Sequence, residues 1–170
     1  KTWRGVNKIL EDKNGNIWLE TPVGVSMFDG DEFINYPTKI NFTAADLKTS
    51  AGNLWFNAGE NPGVNYFDGK NLNYLTFPKP KHENPLNSYG VTGISTDKDG
   101  KVWIATYASL FTFDGKTINP FDEIGLGLKK DEKLHIRSVL ADSKGRIWIG
   151  NNGIGVLLFT ENATINFSEQ

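Results

Sequence analysis

The sequence predicts an all-β fold, a β-propeller built from four four-stranded antiparallel blades. A glycine is followed three residues on by a tryptophan at Gly15-Asn-Ile-Trp18, Gly52-Asn-Leu-Trp55, Gly100-Lys-Val-Trp103 and Gly145-Arg-Ile-Trp148. Four of the five tryptophans therefore hold one equivalent position of an internal repeat. An Asp-Gly pair, a strong hairpin signal, recurs at Asp29-Gly30, Asp68-Gly69 and Asp114-Gly115, and Thr160-Glu161-Asn162 replaces it in the fourth copy. No 3.6-residue apolar period persists, and the Asp-Gly turns would interrupt a helix, which sets helical repeats aside.

Each copy reads as four strands in order. The first is apolar and ends at an acid or hydroxyl, at Asp12, Thr49, Asp97 and Asp142. Such a side chain accepts backbone N–H groups in the turn, and the glycine three residues on supplies the left-handed residue that closes it. The second strands are Ile17–Leu19, Leu54–Phe56, Val102–Ile104 and Ile147–Ile149, apolar on both faces and so covered on both sides. The third strands are Gly24–Phe28, Gly63–Phe67, Leu110–Phe113 and Gly155–Phe159. A shorter, more polar fourth strand follows near Phe33–Tyr36, Leu72–Leu75, Ile118–Phe121 and Ile165–Phe167. These units give one propeller domain over residues 1–170, with blades near 6–36, 42–77, 91–121 and 136–167. The extra residues enter between blades, from about Thr76 to Gly90 and from Pro120 to His135.

Composition narrows the function classes. The formal net charge is −2 with both signs interspersed, which argues against nucleic-acid or polybasic membrane binding. The chain contains no cysteine, so disulfides, thiolate zinc sites and a cysteine nucleophile are excluded. No run of about 18 apolar residues is present to span a membrane as a helix. The sequence opens in mid-pattern at Lys1-Thr-Trp-Arg, which reads as a mature or trimmed segment.

The pattern Val-x-x-Ile-x-Glu-Asp-x-x-Gly-Asn-Ile-Trp over Val6–Trp18, followed by Gly-Val-Ser-x-Phe-Asp-Gly over Gly24–Gly30, resembles the two-component regulator propeller repeat. Val91–Gly115 and Ile136–Phe159 match it well, while Thr43–Gly69 diverges, with Asp46 at an Ile/Val position and Thr49 in place of the turn Asp. The resemblance implies a bacterial sensor or binding module of periplasmic or extracellular location, often linked to carbohydrate sensing, and carries no catalytic motif with it. It also implies rings of about six to eight blades, against four here. A closed four-blade ring, half of a homodimeric ring, or part of a larger propeller each accommodates that count, and a small ring or a dimer is favoured because an open half would expose apolar blade faces.

The repeated tryptophans and the turn acids Asp12, Asp29, Asp68, Asp97, Asp114 and Asp142 read as structure, because they recur in register. Unrepeated residues are the functional candidates. Arg137 stands one residue into the fourth inner strand, where the other copies have Asn7, Ala44 and Thr92, and this register brings Arg137 and Asn7 to the channel mouth. Tyr89, Tyr107, Asn151 and Asn152 fall in loops expected on the same side, and Glu20 and Glu60 where the loops after the second strands begin. Aromatic faces, amides and an Arg fork suit a small polar ligand, a saccharide or an anionic group. His82 and His135, both in inter-blade links, read as solvated, and no pair of groups has metal-ligand spacing. The expectation is a non-enzymatic binding or sensor module for such a ligand or a protein partner, with no catalytic residue, metal or cofactor. The alternatives are a propeller lyase or hydrolase with its site at the channel mouth, and an architectural protein–protein interaction propeller.

Overall fold

The structure is a computed structural model that describes residues 5–6, 8–12, 14–21, 24–37, 53–58, 62–79, 89–121, 126–129, 132–161 and 163–167. It is all-β, with consecutive strands paired antiparallel as the repeat requires. Blade one is β1 (Lys8–Glu11), β2 (Ile17–Thr21), β3 (Gly24–Phe28) and β4 (Phe33–Pro37). Blade two contributes β5 (Leu54–Asn57), β6 (Gly63–Phe67) and β7 (Leu72–Thr76), and its expected first strand, ending at Thr49, lies outside the described residues. Blade three is β8 (Val91–Thr96), β9 (Val102–Thr106), β10 (Leu110–Phe113) and β11 (Ile118–Pro120). Blade four is β12 (Ile136–Ala141), β13 (Ile147–Asn151), β14 (Gly155–Phe159) and β15 (Thr164–Phe167).

The first turn of blades one, three and four is built by one carboxylate. Asp12 Oδ1 accepts the amides of Asn14 and Asn16, while its Oδ2 accepts the Trp18 indole N–H at 3.0 Å. Asp97 with Trp103 at 3.0 Å and Asp142 with Trp148 at 2.9 Å repeat the arrangement. Gly15, Gly100 and Gly145 carry φ of 84°, 83° and 75°, the left-handed values this turn needs. The acid and the tryptophan six residues on thus form one unit: the indoles of Trp18 and Trp103 are buried yet their N–H groups stay satisfied.

Strand alternation then sorts each blade into two faces. The tryptophan face looks towards the next blade, and the opposite face towards the previous one. Trp18, Val25 and Met27 of blade one pack on Leu54, Phe56 and Phe67 of blade two. Trp55 and Val64 pack on Val102, Ile104, Phe111 and Phe113 of blade three. Trp103, Ala105 and Leu110 pack on Ile147, Ile149 and Leu157 of blade four. The three tryptophans so covered are 1%, 0% and 4% exposed. Each such burial contributes on the order of 3 kcal/mol, so these three seams carry the fold.

The link between blades three and four is not a solvated loop throughout. Leu126 and Leu134 are buried in the same seam as Trp103 and Ile149. Among the described residues no core cluster joins blade four to blade one. Trp148 is only half-buried, and Leu140 beside it is 57% exposed.

Candidate functional site

The innermost strands β8 and β12 each carry a bulge at the same place in the repeat. Pairing in β8 skips from Val91 to Gly93, and in β12 from Ile136 to Ser138, leaving Thr92 and Arg137 as the extra residues. A bulge takes one residue out of the ladder and re-aims its side chain. Arg137 is exposed there, with its guanidinium carbon 4.8 Å from the centre of the Tyr107 ring. No carboxylate pairs with Arg137 among the described residues.

Tyr107 is the first residue beyond β9, and backbone bonds fix it between the two blades. Its amide donates to Gly90 O at 3.2 Å, and its carbonyl accepts the Ile136 amide at 2.9 Å. His135 stands against the same ring with centroids 3.8 Å apart. The His135 amide donates to Asn151 Oδ1 at 2.6 Å, its carbonyl accepts the Asn152 amide at 2.9 Å, and Asn151 Nδ2 donates to Asn152 O at 3.2 Å. Asn151 is therefore buried and occupied in holding the loop, whereas Asn152 is exposed.

His135 differs from its sequence expectation as a solvated residue. It is half-buried, and its Nε2 is sealed from solvent without a hydrogen-bond partner. Burial first, and the Arg137 charge second, hold its imidazole below the usual histidine pKa. The ring is neutral at pH 7 and serves as a wall for Tyr107. The sequence signal was its place immediately before the buried Ile136, which forces it against blade three.

The structure thus brings Arg137, Tyr107, Asn151 and Asn152 together with His135, at the seam of blades three and four. Tyr89 is elsewhere: it packs on the core between blades two and three. Glu20 is also elsewhere, and the expectation that it opens a loop is corrected. Strand β2 continues to Thr21, which pairs with Gly24, so Glu20 lies inside the strand opposite Val25 and is buried. Asn7 and Glu60 lie outside the described residues, as does His82. Among the described residues no three His, Asp or Glu side chains group as a metal site would need. No helix among them is long and apolar enough to cross a membrane.

Comparison with known proteins agrees with this architecture. The family model described as two component regulator propeller matches residues 85–108 and 133–153, the two stretches that supply Tyr107 and His135–Asn152. The chain is a β-propeller chain, and the two matched stretches are similar to two-component regulator propeller repeats. No curated protein sequence matches it. Among solved structures, virginiamycin B lyase from Staphylococcus aureus superposes with a TM-score of 0.70 at 16% identity, over 99% of this chain and 57% of the lyase. PorZ of Porphyromonas gingivalis, a surface component of the type-IX secretion system, gives 0.66 at 16% identity, over 97% of this chain and 27% of PorZ. The extracellular domain of a B. thetaiotaomicron protein, described as a hybrid two component system, gives 0.56 at 17% identity, over 92% of this chain and 20% of that one. At these identities the likeness is one of fold. The chain spans little more than half of the lyase's length and less of the other two.

Proposed function

We propose that the chain is a non-enzymatic sensor or binding module that takes a small anionic or hydroxyl-rich ligand, of carboxylated-saccharide type, at Arg137, Tyr107 and Asn152. The observation that carries the reading is Arg137 itself, lifted from the ladder by a bulge and laid over Tyr107 with no carboxylate partner among the described residues. A guanidinium fork matches a carboxylate bidentately, and an aromatic face beside it suits the C–H face of a sugar ring. Tyr107 and the Asn151-held loop are tied by backbone bonds, so little ordering is left for binding to supply. Binding rather than catalysis is favoured because the one imidazole here has its Nε2 shut away from any ligand's proton. The reading carries with it a periplasmic or extracellular location, where such ligands are met.

Thermal shift and calorimetry with sodium galacturonate, galactose and sodium acetate test it. A ligand bound only by the native state raises apparent stability. Galacturonate is expected to raise the melting temperature of the wild type more than galactose does, and Arg137→Ala to abolish the difference. Equal response of the two sugars, or an unchanged galacturonate response in Arg137→Ala, would overturn the reading.

A further inference from the structure

We propose that Asn152-Gly153 is a self-modifying site: in the folded chain the Asn152 carboxamide cyclises onto the Gly153 backbone nitrogen, loses ammonia and opens to aspartate or isoaspartate. Water is the one co-reactant. The Gly153 nitrogen bonds to Asn152 Cγ and gives up its proton to solvent, while the Cγ–Nδ2 bond breaks and its electron pair leaves with a proton as ammonia. Water then adds to either carbonyl of the five-membered imide, and cleavage of that carbonyl's bond to the ring nitrogen frees a carboxylate. One opening gives aspartate; the other routes the backbone through the former side chain and gives isoaspartate.

The sequence contains two Asn-Gly pairs, Asn14-Gly15 and Asn152-Gly153. Glycine matters because no Cβ shields its nitrogen from the attacked carbonyl. The fold treats the two pairs differently. The Gly15 amide donates to Asp12 O at 3.1 Å, so its nitrogen is engaged within the turn. Gly153, at a φ of 88°, makes no hydrogen bond among the described residues, and a Cβ there would meet nothing within 4 Å. The Asn152 carboxamide also has no partner among the described residues, and both residues are exposed. Only the Asn152 backbone is held, its amide donating to His135 O at 2.9 Å and its carbonyl accepting Asn151 Nδ2 at 3.2 Å. Both reacting groups are therefore open to water. Asp29, Asp68 and Asp114 also precede glycines, but each carboxylate accepts two amides of its own turn and is held ionised. An ionised carboxylate is a poor electrophile, so these pairs do not compete.

The product changes the candidate site. This consequence rests on the reading of Arg137, Tyr107 and Asn152 as ligand groups: a neutral amide offered to an anionic ligand becomes a carboxylate, and like charges repel. The site then acquires an off-state that accumulates with the age of the folded chain.

Peptide mapping by mass spectrometry, after timed incubation of the wild type in mildly alkaline buffer with and without urea, tests the chemistry with no ligand present. In the folded chain Asn152 is expected to convert roughly fivefold faster than Asn14 or more, the factor that one hydrogen bond on the attacking amide is worth. In urea the two rates are expected to converge. An intact Asn152, conversion of Asn14 at an equal or greater rate, or a preference that persists in urea overturns the proposal. The consequence is read separately, by thermal shift with sodium galacturonate on Asn152→Asp. The galacturonate response is expected to be lost, and a response equal to the wild type's would overturn the off-state. A wild type that gives no galacturonate response would sink the ligand reading and the off-state with it, and the mapping result would be unaffected.

Discussion

The carboxylate of Asp97 holds the indole of Trp103 at 3.0 Å through one oxygen and the turn amides of Asp99 and Lys101 through the other. One side chain thereby ties the turn that opens β9 to the aromatic that seals the next seam. Asp97→Ala leaves the indole N–H and two turn amides without their acceptor, the indole on a ring only 4% exposed. The expected loss is about 1–3 kcal/mol for the orphaned buried donor. Urea unfolding checks it, and a change below the noise of that measurement would show that water replaces the carboxylate at no cost.

Blade two lacks this device in its sequence, because Thr49 stands six residues before Trp55 where the other copies have Asp. Correspondingly, Trp55 Nε1 is buried with no hydrogen-bond partner among the described residues. Thr49→Asp is expected to supply the acceptor and raise stability by about 1–2 kcal/mol, a few degrees in melting temperature. A thermal melt of the single variant reads it directly. A lowered melting temperature would mean that a carboxylate at position 49 does not reach the indole.

Most of the blade pattern was legible because each blade repeats it and each repeat carries its own turn chemistry. Gly-x-x-Trp and Asp-Gly are local signals, and the strands they bound, such as Ile17–Thr21 and Ile147–Asn151, needed no long-range information. What the sequence hid was set by register. Glu20 looked like the first loop residue because it is charged, yet the pairing of Thr21 with Gly24 keeps it within a buried strand. His135 reads as solvated in sequence because it lies in an inter-blade link with no paired motif, while its environment is Tyr107, a residue 28 positions away in sequence. Arg137 stood out only by differing from Asn7, Ala44 and Thr92, and the bulge that lifts it has no residue signature of its own.

Gly93 lies where β8 and β12 approach across the seam of blades three and four. A Cβ there would stand 3.0 Å from the Val139 amide nitrogen and 3.3 Å from its Cγ1. Gly93→Ala must therefore push one inner strand from the other, at an expected cost of about 1–3 kcal/mol. At Gly150 the one close atom an added Cβ would meet is the Ser138 hydroxyl oxygen, at 2.6 Å, with Ser138 Cβ and N at 3.9 and 4.0 Å, and the hydroxyl can rotate away. Chemical denaturation of both variants should therefore rank Gly93→Ala below Gly150→Ala, and the reverse order would place the tight contact elsewhere.

His135 predicts a pH dependence whose sign follows from its lowered pKa. Between its folded value and the unfolded value near 6.5, the unfolded chain binds the proton that the folded chain refuses. Stability is therefore full above that unfolded value and is lost as pH falls through the window below it. The lowered carboxyls act in a separate, more acidic range. For Asp142 the Trp148 indole is the first cause and outweighs burial, while for Asp12 burial pushes upward and the hydrogen bonds of Trp18 and Asn16 overcome it. Their contribution is present above about pH 4 and lost below it. Urea midpoints from pH 8 to 5, measured in a His82→Gln background so that one imidazole titrates, should fall on acidification. His135→Gln should flatten that slope, and Arg137→Ala should shallow it by removing the second of the two causes. An unchanged slope in His135→Gln would show that the imidazole is solvated and that Tyr107 is held without it.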